Sequence, residues 1–129
     1  MLKPRQRLWI SLFFLLNSPF IPAASLDQHE VYFEIQPNLA AWAFIEESLV
    51  LLQIGDKQPV VLEAINPFLY RGWRNLYLKI NDYDHDGLND VAVLQSVGHG
   101  GVDRCYAIYR YNPALAQFNP RKSFDRCNI

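Results

Sequence analysis

The acidic stretch DYDHDGLND, residues Asp82–Asp90, limits most strongly what this chain can fold into. Four carboxylates stand at its first, third, fifth and ninth positions, and Gly87 stands at its sixth. Two like charges held about 4 Å apart at an effective dielectric constant of ~20 repel each other by roughly 4 kcal/mol. A bound divalent cation removes this repulsion, because each carboxylate then faces a double positive charge. The stretch therefore predicts a loop that closes around a metal ion.

The spacing of the carboxylates also predicts which groups contact the ion. Alternate residues of a tightly turning loop face a common centre, and Ca²⁺ takes six to eight oxygen ligands. The predicted ligands are the side chains of Asp82, Asp84, Asp86 and Asp90 and the main-chain carbonyl of Leu88. Gly87 permits the turn because it tolerates a positive φ without a Cβ clash, and Tyr83, His85 and Asn89 are expected to point outward. Calcium fits this ligand set better than Mg²⁺, which prefers fewer protein ligands and retains water.

The segments on either side of the loop indicate the type of site. The spacing matches the first nine positions of an EF-hand loop, but the twelfth position is Val93, where an EF-hand has a bidentate Glu. The loop is preceded by LYLKI and followed by VAVL, and both are strand patterns. The sequence therefore predicts a strand–loop–strand calcium site. The alternative is a surface turn of Asp, Asn and Gly residues that binds no ion.

The ion is predicted to be structural rather than catalytic. Catalysis at a metal needs an open coordination position and an acid–base partner. His85 is expected to point away from the ion, and Ser96 and Ser123 lie in no nucleophile motif. We therefore expect no catalytic residues and no enzymatic activity, with calcium fixing the turn between two strands.

The rest of the sequence is also strand-like. Apolar residues occupy every second position from Val31 to Ile35, the segments SLVLLQI and PVVLEAI flank the turn GDKQ, and CYAIYRY is rich in aromatic residues. AWAFIEESL is ambiguous, since it is compatible with a helical turn. The aromatic residues expected in the core and at its rim, rather than in a sugar-stacking platform, are Trp42, Phe68, Tyr70 and Trp73. The predicted fold class is all-β or mostly β, with small antiparallel sheets and about six to eight strands.

Residues 1–25 resemble a secretory signal peptide rather than part of the fold. A basic head with Lys3, Arg5 and Arg7 precedes the apolar run LWISLFFLL, and small residues follow at 23–25. The alternative, an uncleaved membrane anchor, is disfavoured because the run is far shorter than the ~20 residues that span a bilayer. The prediction is therefore an exported chain with no membrane span after cleavage. Residues 26–129 then form a single β-rich domain.

Two cysteines and the charge balance describe the exported domain further. Cys105 and Cys127 are the only cysteines, and an even pair in an exported protein predicts a disulfide, which stabilises a chain with a loop of this size by ~3 kcal/mol. A two-cysteine metal site is the alternative, but the histidines are scattered.

The domain carries nine basic and thirteen acidic residues, a formal charge of −4. This balance disfavours nucleic acid and anionic membranes as partners.

The second half of the chain resembles known families. The loop Asp82–Asp90 resembles the calcium loops of FG-GAP and VCBS-type β-propeller repeats. The segment from residue 76 to residue 118 is similar to a group of small exported bacterial proteins, some of which are periplasmic immunity proteins that block lysozyme-like, peptidoglycan-cleaving effectors. The residues that carry the resemblance are Asp82, Asp84, Asp86, Gly87, Asp90, Tyr109, Tyr111, Asn112, Pro113 and Phe118. The resemblance implies one or two propeller-blade-like sheets and a periplasmic or secreted location in a bacterium.

Two functions are compatible with these features. The first is a calcium-stabilised protein that binds another protein, with a lysozyme-like peptidoglycan hydrolase as the partner that the resemblance implies. The glycine-rich loop SVGHGGVD then offers contact residues, with His99 and Asp103 as its polar candidates, although a plain turn between strands is the simpler interpretation. The second is an extracellular adhesion or scaffold module in which calcium stiffens a surface for glycan or protein.

Overall fold

The computed structural model describes residues 29–129, so the predicted signal peptide lies outside the described residues. Strands account for 53% of the structure and helices for 12%, which confirms the mostly-β prediction. Within residues 29–129 no helix has the length and apolar character needed to cross a membrane.

The first four strands form the N-terminal sheet, an antiparallel meander. Its strands are β1 (Glu30–Gln36), β2 (Leu39–Glu46), β3 (Leu49–Ile54) and β4 (Val60–Ala64). Alternating burial along β1 matches the alternation in its sequence, since side chains of a strand point to opposite faces. The ambiguous segment AWAFIEESL forms most of β2 and then a tight turn, in which Glu47 and Ser48 both have positive φ.

The second half of the chain forms the C-terminal sheet, which is also antiparallel and has the strand order β10-β7-β6-β5. Its strands are β5 (Leu78–Asn81), β6 (Asp90–Gly98), β7 (Asp103–Tyr109) and β10 (Phe124–Cys127). A short ribbon of β8 (Tyr111–Asn112) and β9 (Gln117–Phe118) lies between β7 and β10 in the chain. Residues 29–129 form ten strands, more than the predicted six to eight, because two-residue strands and β10 carry little alternating signal.

Helical structure joins the two sheets, and the sequence reasoning missed it. Helix α1 spans Pro67–Gly72, and a 3₁₀ turn spans Arg74–Leu76. The side chain of Asn66 caps α1 by accepting hydrogen bonds from the main-chain amides of residues 68 and 69, and Pro67 suits the first turn. Because of this 3₁₀ turn, the strand predicted from NLYLKI begins only at Leu78.

One cluster of buried side chains includes residues from both sheets. Its centre in the C-terminal sheet is β6, where all residues from Asp90 to Leu94 are buried. A polar contact also joins the sheets, because the Tyr109 hydroxyl donates to Glu63 at 2.6 Å and Gln95 donates to the same carboxylate. The prediction that Phe68 belongs to the core or its rim is wrong, since 80% of it is exposed on α1.

Candidate metal centre

The acidic loop connects β5 to β6, which pair side by side in the C-terminal sheet. Asn81 at the end of β5 lies opposite Asp90 at the start of β6, so the loop is the long connection of a hairpin. The amide of Asn89 donates to the main-chain oxygen of Glu34 at 2.7 Å, which attaches the loop to β1 of the other sheet. The strands thus hold both ends of the loop at the junction of the two sheets.

Three of the predicted ligands lie close together in this loop. Carboxylate oxygens of Asp82, Asp84 and Asp86 all lie within 4.8 Å of one another. Asp82 also shapes the turn, since its two oxygens accept hydrogen bonds from the main-chain amides of Asp86 at 3.1 Å and Gly87 at 2.8 Å. Gly87 has a φ of 90°, as the turn was predicted to require. This three-carboxylate group can hold a metal ion.

Asp90 lies beside this group but is not a member of it. It is fully buried, and one carboxylate oxygen accepts a hydrogen bond from the main-chain amide of Tyr83 at 2.9 Å. The other oxygen, Oδ1, has no hydrogen-bond partner in the described part of the chain. The pKa of Asp90 is raised to about 7, chiefly by burial and also by the negative charges of Asp84, Asp86 and Asp82, while the hydrogen bond from the Tyr83 amide opposes this rise. A buried carboxylate oxygen that lacks a donor is the kind of group that a cation satisfies.

An arginine that the sequence reasoning missed lies against the carboxylates. Arg110 follows β7, and its Nε lies 2.6 Å from Asp84 Oδ2 while its Nη2 donates to Asp86 Oδ2 at 2.9 Å. Its guanidinium leaves the group of three carboxylates with a formal charge of −2. No spacing rule could have indicated Arg110, because it is 24 residues away from Asp86 in the sequence.

The charges of the group act differently on its two paired carboxylates. Burial raises the pKa of Asp84, and its hydrogen-bonded neighbour Asp86 adds to that effect while Arg110 opposes it. Burial also raises the pKa of Asp86, but hydrogen bonds from Arg110 and from the main-chain amide of Leu88 outweigh it, so the net pKa lies below the ordinary value. The arginine thus favours the charged form of the carboxylates around it.

The three residues predicted to point away from the ion differ in their burial and contacts. His85 is exposed, whereas Tyr83 is buried in the core cluster and Asn89 is tied to β1 as described. His85 also has a positive φ of 60°. The alternation in the loop therefore separates the carboxylates from residues that anchor the loop to the fold.

The predicted contact residues contact each other: His99 lies in the turn before β7, and Asp103 is the first residue of β7. His99 begins a 3₁₀ turn that ends at Gly101, and its Nδ1 pairs with the Asp103 carboxylate. Both side chains are exposed to solvent, His99 by 81% and Asp103 by 45%. The turn packs closely on Trp73, since a Cβ on Gly101 would lie only 2.5 Å from the Trp73 ring.

The predicted disulfide is confirmed. Cys105 on β7 and Cys127 on β10 lie directly opposite each other in the sheet and are joined by a bond. The bond fits an oxidising environment such as that of exported proteins. It holds the edge strand β10, most of whose side chains are exposed.

Comparison of the chain with family models, with curated proteins and with solved structures finds no match. The resemblance to calcium-loop and immunity proteins therefore stays a prediction from the sequence. The features that stand on the structure are a mostly-β fold, one disulfide and an acidic group able to hold a metal ion.

Proposed function

We propose that this chain is an exported binding protein stabilised by calcium, and that it inhibits a lysozyme-like peptidoglycan hydrolase. The observation that carries the calcium part is the acidic loop, in which three carboxylates converge beside the buried Asp90. The hydrolase part is supported by the resemblance of residues 76–118 and by the predicted export.

The donor set favours calcium among the metals. All the candidate ligands are oxygens, which hard cations prefer over the nitrogen and sulfur ligands typical of zinc. A divalent ion balances the charge of −2 that remains on the three carboxylates after pairing with Arg110. Asp84 Oδ1, within the group of three carboxylates, and Asp90 Oδ1 beside it are buried and lack a hydrogen-bond partner in the described residues, so both would be available to the ion.

The ion would act by holding the fold. The loop joins β5 to β6 and is tied to β1 through Asn89, so an ion there stabilises the junction of the two sheets. A ligand present at about 100 times its dissociation constant raises the free energy of unfolding by roughly 2.7 kcal/mol. Calcium should therefore raise the melting temperature, and chelation should lower it.

Calorimetric titration and thermal melting of the mature chain test the calcium site. We expect one ion per chain, and Asp84→Asn should remove both the binding heat and the rise in melting temperature. The matched control is Asp125→Asn, since Asp125 on β10 is an exposed carboxylate paired with Lys122. A melting temperature that changes neither on adding calcium nor on adding chelator would overturn this part of the proposal.

Digestion of purified peptidoglycan by lysozyme-like muramidases tests the function. The mature chain should slow at least one such enzyme in proportion to its concentration and form an isolable complex with it. Absence of both inhibition and complex across representatives of the muramidase families would contradict the hydrolase partner. The calcium result would be unaffected.

A second candidate, the adhesion or scaffold module, is favoured by one observation on the N-terminal sheet. Tyr32, which is 69% exposed, stacks on Trp42 with ring centroids 5.3 Å apart, and Trp42 stacks on Phe44 at 4.1 Å. Exposed aromatic rings pack well against the apolar faces of sugars and of other proteins. Retention of the chain on insoluble glycan, lost in Tyr32→Ala, would favour this candidate over the inhibitor.

A further inference from the structure

A continuous stretch of the chain carries basic and aromatic residues but no carboxylate. Between Glu63 and Asp82 the sequence contains Arg71, Arg74 and Lys79 and neither Asp nor Glu. Half of it forms α1 and the 3₁₀ turn between the sheets. Residues 29–129 as a whole carry nine basic and twelve acidic residues, a net charge of −3. This stretch is therefore opposite in charge to the molecule that carries it.

Arginines on and beside this stretch lie over aromatic rings. The guanidinium carbon of Arg71 lies 5.5 Å from the ring centre of Phe68, and that of Arg74 lies 5.3 Å from the ring centre of Tyr70. Arg104 on β7 lies 5.8 Å from the ring of Trp73. Such cation–π contacts attract the guanidinium groups to the faces of the rings.

Trp73 connects the helical stretch to the turn before β7. Gly101 lies against the Trp73 ring so closely that no Cβ fits between them, and Arg104 donates to the main-chain oxygen of Gly101 at 2.8 Å. The next residue after Arg104 is Cys105 of the disulfide. The two segments are thus fixed to each other before any partner arrives.

Two apolar side chains of this region are exposed. Phe68 on α1 is 80% exposed, and Val102, which follows Gly101 in the chain, is 72% exposed. A shallow depression of about 560 Å³ is lined by residues 71–76. Exposed aromatic, apolar and arginine side chains on a rigid base are typical of the residues that dominate protein interfaces.

We propose that this arginine–aromatic surface, formed by Phe68, Arg71, Trp73, Arg74, Val102 and Arg104, binds an acidic surface of a protein partner. The inference rests on the proposed function and deepens it, because the active-site cleft of a glycoside hydrolase presents a pair of carboxylates. Arginine pairs with carboxylates through two parallel hydrogen bonds. The surface differs from the pair of His99 and Asp103, whose side chains contact each other.

Charge complementarity is the argument for this partner. The surface contains three arginines, Arg71, Arg74 and Arg104, whereas residues 29–129 as a whole have a net charge of −3. Asp103 is the carboxylate nearest in sequence to the surface on the β7 side, and its oxygens contact His99 and Asn128. A nucleic acid or an anionic membrane would meet the net negative charge of the remaining molecule.

Peptide titration followed by NMR tests the proposal on the mature chain in the presence of calcium. The probes are a short peptide of alternating Glu and Leu, the same peptide with Lys in place of Glu, duplex DNA, and phosphatidylglycerol vesicles. The Glu peptide alone should shift the main-chain amide signals, and the shifts should cluster in residues 68–76 and 99–104.

A pair of charge-matched variants locates the binding surface. Arg71→Gln combined with Arg74→Gln should weaken binding of the Glu peptide about five- to tenfold, because each exposed ion pair contributes up to ~1 kcal/mol. Arg121→Gln combined with Lys122→Gln removes the same charge from another exposed segment and should leave binding unchanged. Phe68→Ala should weaken binding without changing the charge. The melting temperature in calcium checks that each variant is folded.

Each outcome has a defined meaning. Equal binding by both double variants, or shifts outside the surface, would overturn the proposal, as would a preference for DNA or vesicles over the Glu peptide. Binding of the Glu peptide at the surface without inhibition of any muramidase would support this surface and contradict the hydrolase partner. Inhibition of a muramidase that survives Arg71→Gln with Arg74→Gln would overturn this surface and leave the proposed function standing.

Discussion

At the scale of single residues, Asp90 is the carboxylate whose burial among other negative charges costs the fold most directly. Its carboxylate is fully buried at the start of a core strand, beside three other carboxylates and with one oxygen lacking a donor. Without an ion, burial keeps its pKa near 7. In the calcium site proposed above, Asp90 would supply a buried oxygen, and its carboxylate is a cost to the fold whenever no cation is bound.

The first prediction concerns the pH dependence of stability without calcium. The pKa of Asp90 is about 7 in the folded chain and near its ordinary 3.8 when unfolded. As pH rises from about 4 to about 7, the unfolded chain releases this proton while the folded chain retains it, so stability falls by at most about 1.4 kcal/mol per pH unit. Asp90→Asn should flatten this fall, as measured by urea unfolding in chelator at several pH values.

The control for this prediction is Asp125→Asn, which removes a solvent-exposed carboxylate. It should leave the slope between pH 4 and pH 7 close to that of the unmodified chain. An identical slope in Asp90→Asn and in the unmodified chain would contradict the assignment of the titration to Asp90.

The second prediction concerns Arg110, which occupies the same carboxylates as the proposed ion. Arg110→Gln should destabilise the calcium-free chain by roughly 0.5–1 kcal/mol, because it removes a partly exposed ion pair. It should also enlarge the rise in melting temperature on adding calcium, since the carboxylate group then has a charge of −3. Melting curves with and without calcium measure both effects, and a smaller calcium-induced rise in the variant would contradict this relation.

At the scale of elements, alternation predicted the strands that have one exposed and one buried face. β1 and the β3–β4 hairpin fall where the sequence placed them, and the loop between β5 and β6 follows from its carboxylates and glycine. The sequence did not predict α1, because six residues carry too little periodicity to separate a helix from a turn. It also missed Arg110, whose role depends on how β7 is placed beside the loop.

The third prediction tests the turn before β7 as an element. Gly101→Ala should destabilise the chain by about 1–3 kcal/mol, because Gly101 has a φ of 99° and a Cβ there would lie 2.5 Å from Trp73. Gly55→Ala is the matched control, since Gly55 also has a positive φ, of 55°, but nothing lies within 4 Å of its Cβ position. The control should be destabilised by the backbone strain alone. Equal losses in chemical denaturation would contradict close packing at Trp73.

At the scale of the whole molecule, the two sheets share one core despite lying in separate halves of the sequence. Buried side chains from β1–β4 and from β5–β7 form a single cluster. The hydrogen bonds of Glu63 with Tyr109 and Gln95 add a polar link across the junction. Unfolding of either sheet would therefore expose the buried face of the other sheet to solvent.

The fourth prediction follows from this shared core. Unfolding of the mature chain in calcium should be a single cooperative transition, with coincident curves from Trp42 fluorescence, Trp73 fluorescence and far-ultraviolet circular dichroism. Trp42 reports on the N-terminal sheet and Trp73 on the connection to the second sheet. Single-tryptophan variants, Trp42→Phe and Trp73→Phe, separate the two signals. Two separated midpoints would show that the sheets unfold as independent units.

The order of strands also bears on how quickly each part can form. Every contact in the meander β1–β4 joins neighbours along the chain, so little entropy is lost in closing its loops. The C-terminal sheet must close a longer loop, because the ribbon of β8 and β9 separates β7 from its partner β10 in the sequence. The meander is therefore suited to serve as a template on which later strands settle. The disulfide between Cys105 and Cys127 joins β7 to β10 covalently, so these two strands stay connected once the bond has formed.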